Sequence, residues 1–148
     1  MKPKVKSILL VEDNESDVAL ARRAFAKTGT TVELISVEDG SAALDYLGGA
    51  GVYAGREIAG QPDLILLDLK LQCGDGLGFL KVLRRHPATR RLPVIVMTTS
   101  NEGQDIATAY DLGANSYIRK PVSFDEFTSA MQKLSDYWLT LNEPPPAV

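Results

Sequence analysis

Three carboxylates, a hydroxyl and a lysine stand where a phosphoryl-transfer chemistry would need them together. Glu12 and Asp13 follow the apolar run 8–11, Asp68 follows the run 64–67, Thr98 closes the run 94–97, and Lys120 comes just after the weaker run 116–118. If these runs are strands of an open parallel sheet, the residues beyond their carboxyl ends share one edge, and that is where such sheets bind ligands. Two unit charges about 4 Å apart repel by roughly 4 kcal/mol at an effective dielectric of 20, so three neighbouring carboxylates demand positive charge. Hard oxygen donors at few protein positions favour Mg²⁺, which keeps several waters and takes up phosphate oxygens. Lys120 adds a second cation. A carboxylate in that setting is a nucleophile toward phosphorus. The expected product is an aspartyl phosphate, stabilised by the metal and Lys120 and hydrogen-bonded by the Thr98 hydroxyl.

The elements that must position these groups are readable from periodicity. The runs 8–11, 32–37, 64–67 and 94–97, with 116–118, are continuous or β-branched, as expected of strands buried on both faces. Amphipathic stretches separate them. Asn14 is placed to cap a helix over 14–27, and further helices are expected over 41–47, 77–85 (stopped by Pro87) and 102–112 (ended by Gly113). A last helix over about 123–141 opens on the capping box Ser123-Phe124-Asp125-Glu126. The βα unit repeats five times, which predicts an α/β fold: an open, doubly wound parallel sheet of five strands with helices on both faces. Residues 48–62, rich in glycine, interrupt the rhythm. They lack the Gly-Lys-Ser/Thr ending of a phosphate-binding loop and read as a flexible connection.

Size and composition set the remaining bounds. The 148 residues suit one domain, expected over 1–142, with a proline-rich tail over 143–148 and little room for a separate output domain. A net charge of −3 argues against non-specific nucleic-acid binding. A single cysteine, Cys73, excludes an intramolecular disulfide framework, and a single histidine, His86, excludes multi-histidine metal sites. No run approaches the roughly 20 apolar residues of a membrane span, so a cytoplasmic protein is expected. Arg84-Arg85 and Arg90-Arg91 read as a solvated basic face.

Taken in register, Glu12-Asp13, Asp68, Asp75-Gly76, Thr98 and Lys120-Pro121 resemble the receiver domain of two-component response regulators, over about residues 5–140. The resemblance implies Asp68 as phosphoacceptor, and Glu12, Asp13 and Asp68 with the backbone carbonyl of Lys70 as the Mg²⁺ site. It implies Thr98 and Tyr117 as the switch pair, Lys120 as the phosphate-binding lysine, and a cis peptide before Pro121. The implied fold is flavodoxin-like, with strand order 2-1-3-4-5, and the implied donor is a histidine kinase. Thr98-Thr99-Ser100, Ala114-Asn115-Ser116-Tyr117, the long insert and Tyr137-Trp138-Leu139-Thr140 are similar to the regulators that partner bacterial and cyanobacterial phytochromes. Two departures stand out. Gln72 replaces a common proline, and Lys70 sits two positions after Asp68, where its long side chain could obstruct an attacking water or pair with Glu12; slow phosphate loss is expected.

Rival readings fit less well. A phosphatase of the haloacid-dehalogenase kind expects a second aspartate two positions after the nucleophile, where Lys70 stands. A flavin protein of the same fold would not place acidic residues after Val11. A pseudo-receiver, acting as an interaction module without phosphorylation, would lack a pocket residue. In the last helix, Phe127, Met131, Leu134, Trp138 and Leu141 form a heptad-like seam. The first three are expected to pack on the sheet, leaving Trp138 and Leu141 for a homodimer.

Overall fold

The computed structural model describes residues 5–56, 60–71, 76–99 and 102–146. Its strands are β1 (Lys6–Val11), β2 (Val32–Val37), β3 (Leu64–Leu67), β4 (Val94–Thr98) and β5 (Ser116–Arg119), all parallel, in the order β2-β1-β3-β4-β5. The predicted topology is the observed one. The helices are α1 (Glu15–Ala26), α2 (Gly40–Gly48), α3 (Gly76–Arg85), α4 (Gly103–Asp111) and α5 (Phe124–Leu134).

Continuous apolar strands follow from burial on both faces. Leu9, Val11, Ile65, Leu67, Val94 and Val96 pack with α2, α3 and α4, while Ile8, Leu10, Leu64, Leu66, Ile95 and Met97 pack with α1 and α5. The period of two along each strand thus supplies both cores, and polar residues at the strand ends are left at the edges. Helix starts are pinned locally. The side chains of Asn14, Asp39 and Ser123 accept from the amides of Asp17, Ala42 and Glu126. Gly113 follows α4 with φ +107, as its predicted C′ role requires. It has a second reason to be glycine, because a Cβ there would lie 2.8 Å from Arg84.

Arg84 is not on a solvated face. Its guanidinium lies against the chain and donates to the carbonyls of Gly113, Arg90 and Leu92 and to the Asn115 side chain, using every N–H it has. Burial lowers its pKa from the usual arginine value. It joins the end of α3 to the approaches of β4 and β5. The insert also differs from a loose connection. Residues Gly51–Tyr53 form a 3₁₀ turn, Tyr53 packs edge-on against Tyr46, and Arg56 lies 4.0 Å over the Tyr46 ring. Arg56 and Gln61 donate to the carbonyls of Tyr46 and Leu47, which satisfies the end of α2. The Lys120–Pro121 peptide is trans, against the implied cis bond.

The C-terminal seam shifts register. After α5 the chain continues as a π-helical segment, Ser135–Leu141, whose wider turn advances the inward position by one residue. Leu139, at 6% exposure, packs into the core, although it lies outside the expected seam. Trp138 is half-buried with Tyr137 edge-on to it, and Leu141 is 75% exposed. Glu143–Pro146, the described part of the tail, is exposed and in neither helix nor strand.

The π register is tested by two truncations. Leu139→Ala should lower unfolding free energy by about 2–4 kcal/mol, and Leu141→Ala by less than about 0.5 kcal/mol, read from urea midpoints at constant m-value. An uninterrupted α-helix would give Leu139→Ala a small effect.

Candidate functional site

The sheet brings the predicted strand-end residues to one edge. The amide of Glu12 donates to Val37, and that of Asp68 donates to Val11, so both ladders run one residue past the strands and hold the two carboxylates side by side. Lys120 is fixed the same way, its amide donating to Thr98 at 2.7 Å. From there its ammonium reaches Glu12 Oε1 at 2.6 Å, Asp68 Oδ2 at 3.0 Å and Asp17 Oδ2 at 3.0 Å. Asp68 Oδ1 accepts from the Lys70 amide at 3.0 Å. Both oxygens of the nucleophile candidate are therefore oriented. Glu12 and Asp68 are buried, and Asp13 is half-buried beside them in sequence.

Charge in this cluster is out of balance. Burial pushes the Glu12 carboxyl up to about 7, against the Lys120 ammonium that draws it down, and the Asp68 charge raises it further. Burial alone would lower the Lys120 pKa. Glu12, Asp68 and Asp17 together outweigh that and raise it. One lysine thus faces three carboxylates in contact, with Asp13 nearby. Among the described residues no three side chains of aspartate, glutamate, histidine or cysteine make a ready metal cage. The donor set still suits a small hard cation held by two or three carboxylates, a backbone carbonyl and its own waters.

Thr98 lies in β4 with no exposure, and its Oγ1 has no hydrogen-bond partner among the described residues. A buried, unsatisfied hydroxyl costs about 1–3 kcal/mol, and a new acceptor at the strand end would relieve it. β5 pairs Tyr117 with Val96 and Arg119 with Thr98, so Tyr117 and Thr98 lie on the same face, one two-residue step apart. Tyr117 is half-buried against the core on that side. Gly76 lets the start of α3 return close to the acceptor: a Cβ there would come 2.8 Å from the Asp68 carbonyl oxygen. Gln72, Cys73, Asp75 and Ser100, all singled out in the sequence, lie outside the described residues.

Asp17 was not anticipated. It sits in the first turn of α1 rather than at a strand end, but it is one helical turn after Asp13 and overhangs the sheet edge. Of the two roles open to the Lys70 side chain, pairing with Glu12 is not the one observed. Its ammonium lies 4.0 Å from Asp105 on α4 and is not paired with Glu12. Beside Lys120, a mostly apolar cleft of ≈220 Å³ opens between α1 and α5, its walls including Leu20, Val122, Phe124 and Phe127.

The chain belongs to the response regulator receiver domain family, whose model matches residues 8–132. The general role of that family is to be phosphorylated on an aspartate by a kinase. Among its relatives is the "Probable methanogenesis regulatory protein FilR2" of Methanothrix harundinacea, 40% identical over 142 residues, or 93% of this chain and 86% of that one. Solved structures include the phosphorylated cyanobacterial phytochrome response regulator RcpA (36% identity, TM-score 0.88, covering 97% of this chain and 100% of that one). They also include the Mn²⁺-bound response regulator Rcp1 (34%, 0.85, 95% and 99%) and the bacteriophytochrome response regulator RtBRR (43%, 0.76, 97% and 86%). Receiver domains bind a divalent metal, as the Rcp1 structure illustrates. No helix of the described residues is long and apolar enough to cross a membrane.

The Glu12 shift carries a stability consequence with a definite sign. A carboxyl raised from 4.5 to about 7 by folding stabilises the protein fully below pH 4.5, and that contribution is lost as pH rises through about 7. Glu12→Gln removes this dependence. The metal-free variant should unfold at a higher temperature than the parent at pH 8, with the difference shrinking toward pH 5 in a differential scanning series. Parallel pH profiles would contradict the charge account.

Proposed function

We propose that this chain is a phosphoryl-accepting receiver whose acceptor is Asp68. The observation that carries this is the disposition of Asp68 itself: buried, with one oxygen on the Lys70 amide and the other on the Lys120 ammonium, at the sheet edge where β4 ends in a buried threonine hydroxyl with no partner among the described residues. An Asp68 oxygen attacks the phosphorus of a phosphohistidine. The O–P bond forms, the P–N bond breaks, and the imidazole leaves with the electron pair. Glu12, Asp13, Asp68 and the Lys70 backbone carbonyl would hold a Mg²⁺ ion, which would supply neutralisation of the transferring group.

The chain's own residues do the rest. Lys120 exchanges a carboxylate partner for a phosphoryl oxygen. Thr98 donates its hydroxyl to another, and Tyr117 turns into the space that Thr98 leaves. The phosphoryl adds about −1.5 to −2 charge. Moving a two-state equilibrium from 1:99 to 99:1 takes about 5.5 kcal/mol, within reach of a few charge-assisted hydrogen bonds at roughly 1.5–3 kcal/mol each. The protein is not an enzyme on other molecules; it assists its own phosphorylation and its slow dephosphorylation, in the cytoplasm.

The donor is a histidine kinase of the phytochrome class. What supports this is the likeness, over most of the chain, to RcpA and RtBRR, whose names tie them to phytochromes. The cleft beside Lys120, with Val122 fully exposed at its rim, offers the phosphohistidine-bearing element an apolar seat. Output passes through protein contacts, including a homodimer through the C-terminal segment. Tyr137 and Leu141, both well exposed next to half-buried Trp138, support that surface. Leu141→Ala, near-silent for stability, should then weaken self-association in sedimentation.

The acceptor and the donor class are tested together by phosphotransfer profiling. The parent should take label from acetyl phosphate and from a phytochrome kinase in a light-dependent way, and Asp68→Asn should take none from either. Label persisting in Asp68→Asn would reject the acceptor, while a light-independent best donor would reject the phytochrome assignment.

A further inference from the structure

Lys70 stands two residues after Asp68, and its side chain reaches toward α4. Its backbone amide is bound to Asp68 Oδ1 at 3.0 Å, so its side chain starts at the rim of the pocket. Its ammonium lies 4.0 Å from Asp105 Oδ2 in the first turn of α4, and both side chains are partly open to solvent. The cluster around Asp68 already holds one ammonium in contact with three carboxylates.

We propose that Asp105 is a positioning residue that holds the Lys70 ammonium away from the acceptor until Asp68 is phosphorylated. This rests on Asp68 being the acceptor. An exposed ion pair is weak and readily exchanged, whereas a phosphoryl group brings roughly −1.5 to −2 charge to the pocket rim. That exceeds the single charge of Asp105. The ammonium then leaves Asp105 for the phosphoryl oxygens, and two things follow. The Lys70 chain lies across the open side of the phosphorus and slows hydrolysis, and α4 loses a tether at its first turn. Hydrolysis itself forms a bond from water oxygen to phosphorus and breaks the P–O bond to Asp68. The carboxylate takes the electron pair, and the water protons pass to inorganic phosphate and solvent. Asp105 competes for the group that guards against this step, so it sets the lifetime of the phosphorylated state without touching the phosphoryl.

The test is the lifetime of the phosphoprotein, prepared with acetyl phosphate and Mg²⁺, in a double-mutant cycle. Asp105→Asn frees Lys70 and should lengthen the lifetime about two- to fivefold, the range that exchange of a weak surface pair allows. Asp105→Glu should restore the parent value. Lys70→Ala should shorten the lifetime, and adding Asp105→Asn to it should change nothing more. An Asp105→Asn lifetime equal to or shorter than the parent's, or the same lengthening with Lys70 absent, would overturn the proposal. An Asp68→Asn control separates the two readings: label lost there with lifetimes unmoved by Asp105 rejects only the positioning role, and label retained there rejects the acceptor and, with it, the proposal.

Discussion

A single ammonium holds the site together. Lys120 is in contact with Glu12, Asp17 and Asp68 at once, two of them from the junction of β1 and α1 and the third from the end of β3. Without a cation there, the burial of Glu12 and Asp68 would leave uncompensated charge at a sheet edge, at a cost of several kcal/mol. Burial is the main cause of the raised Glu12 carboxyl, and with only one cation in contact with three carboxylates the cluster remains short of positive charge. That deficit is what makes the edge receptive to a divalent metal and unstable without one. Function has been favoured over stability here, as is common where a site must accept a charged ligand.

The rest of the architecture serves to hold this lysine and its partners in register. Parallel strands buried on both faces place Glu12, Asp68 and Lys120 one residue past neighbouring ladders, so the cluster's geometry is inherited from backbone hydrogen bonds. Gly76 allows the start of α3 to close against the Asp68 carbonyl. At the opposite edge Arg84 performs a comparable service with neutral partners, tying α3 to the approaches of β4 and β5 through main-chain carbonyls. The site edge concentrates charge, while at the far edge the half-buried Arg84 satisfies backbone carbonyls.

Most of this was legible in the sequence because strand ends are legible. Continuous apolar runs announce a doubly covered sheet, and a polar residue after each run must lie on the ligand-binding edge. What could not be read arises where position along the chain and position in space part company. Asp17 reaches the edge from a helix, and no strand boundary flags it. Arg84 looks like one of four surface arginines until the carbonyls it satisfies are seen. Trp138 continues a heptad-like seam, but a π turn brings Leu139, which that seam omits, into the core. The glycine-rich insert reads as loose because nothing in its composition reveals that Arg56 and Gln61 close the end of α2. The side chain of Lys70 had two candidate roles near the acceptor, and the partner it takes, Asp105, lies a full βα unit away in sequence.

We propose that the carboxylate sharing Lys120 with Glu12 and Asp17 is the one that becomes phosphorylated. Reductive trapping tests it directly. Borohydride converts an aspartyl phosphate to homoserine at the residue that carried it, and peptide mass spectrometry reads the position. After phosphorylation in Mg²⁺, the account predicts homoserine at position 68 and nowhere else. Homoserine at position 13 or 17, or an unaltered Asp68 in a protein that carries label, would contradict it.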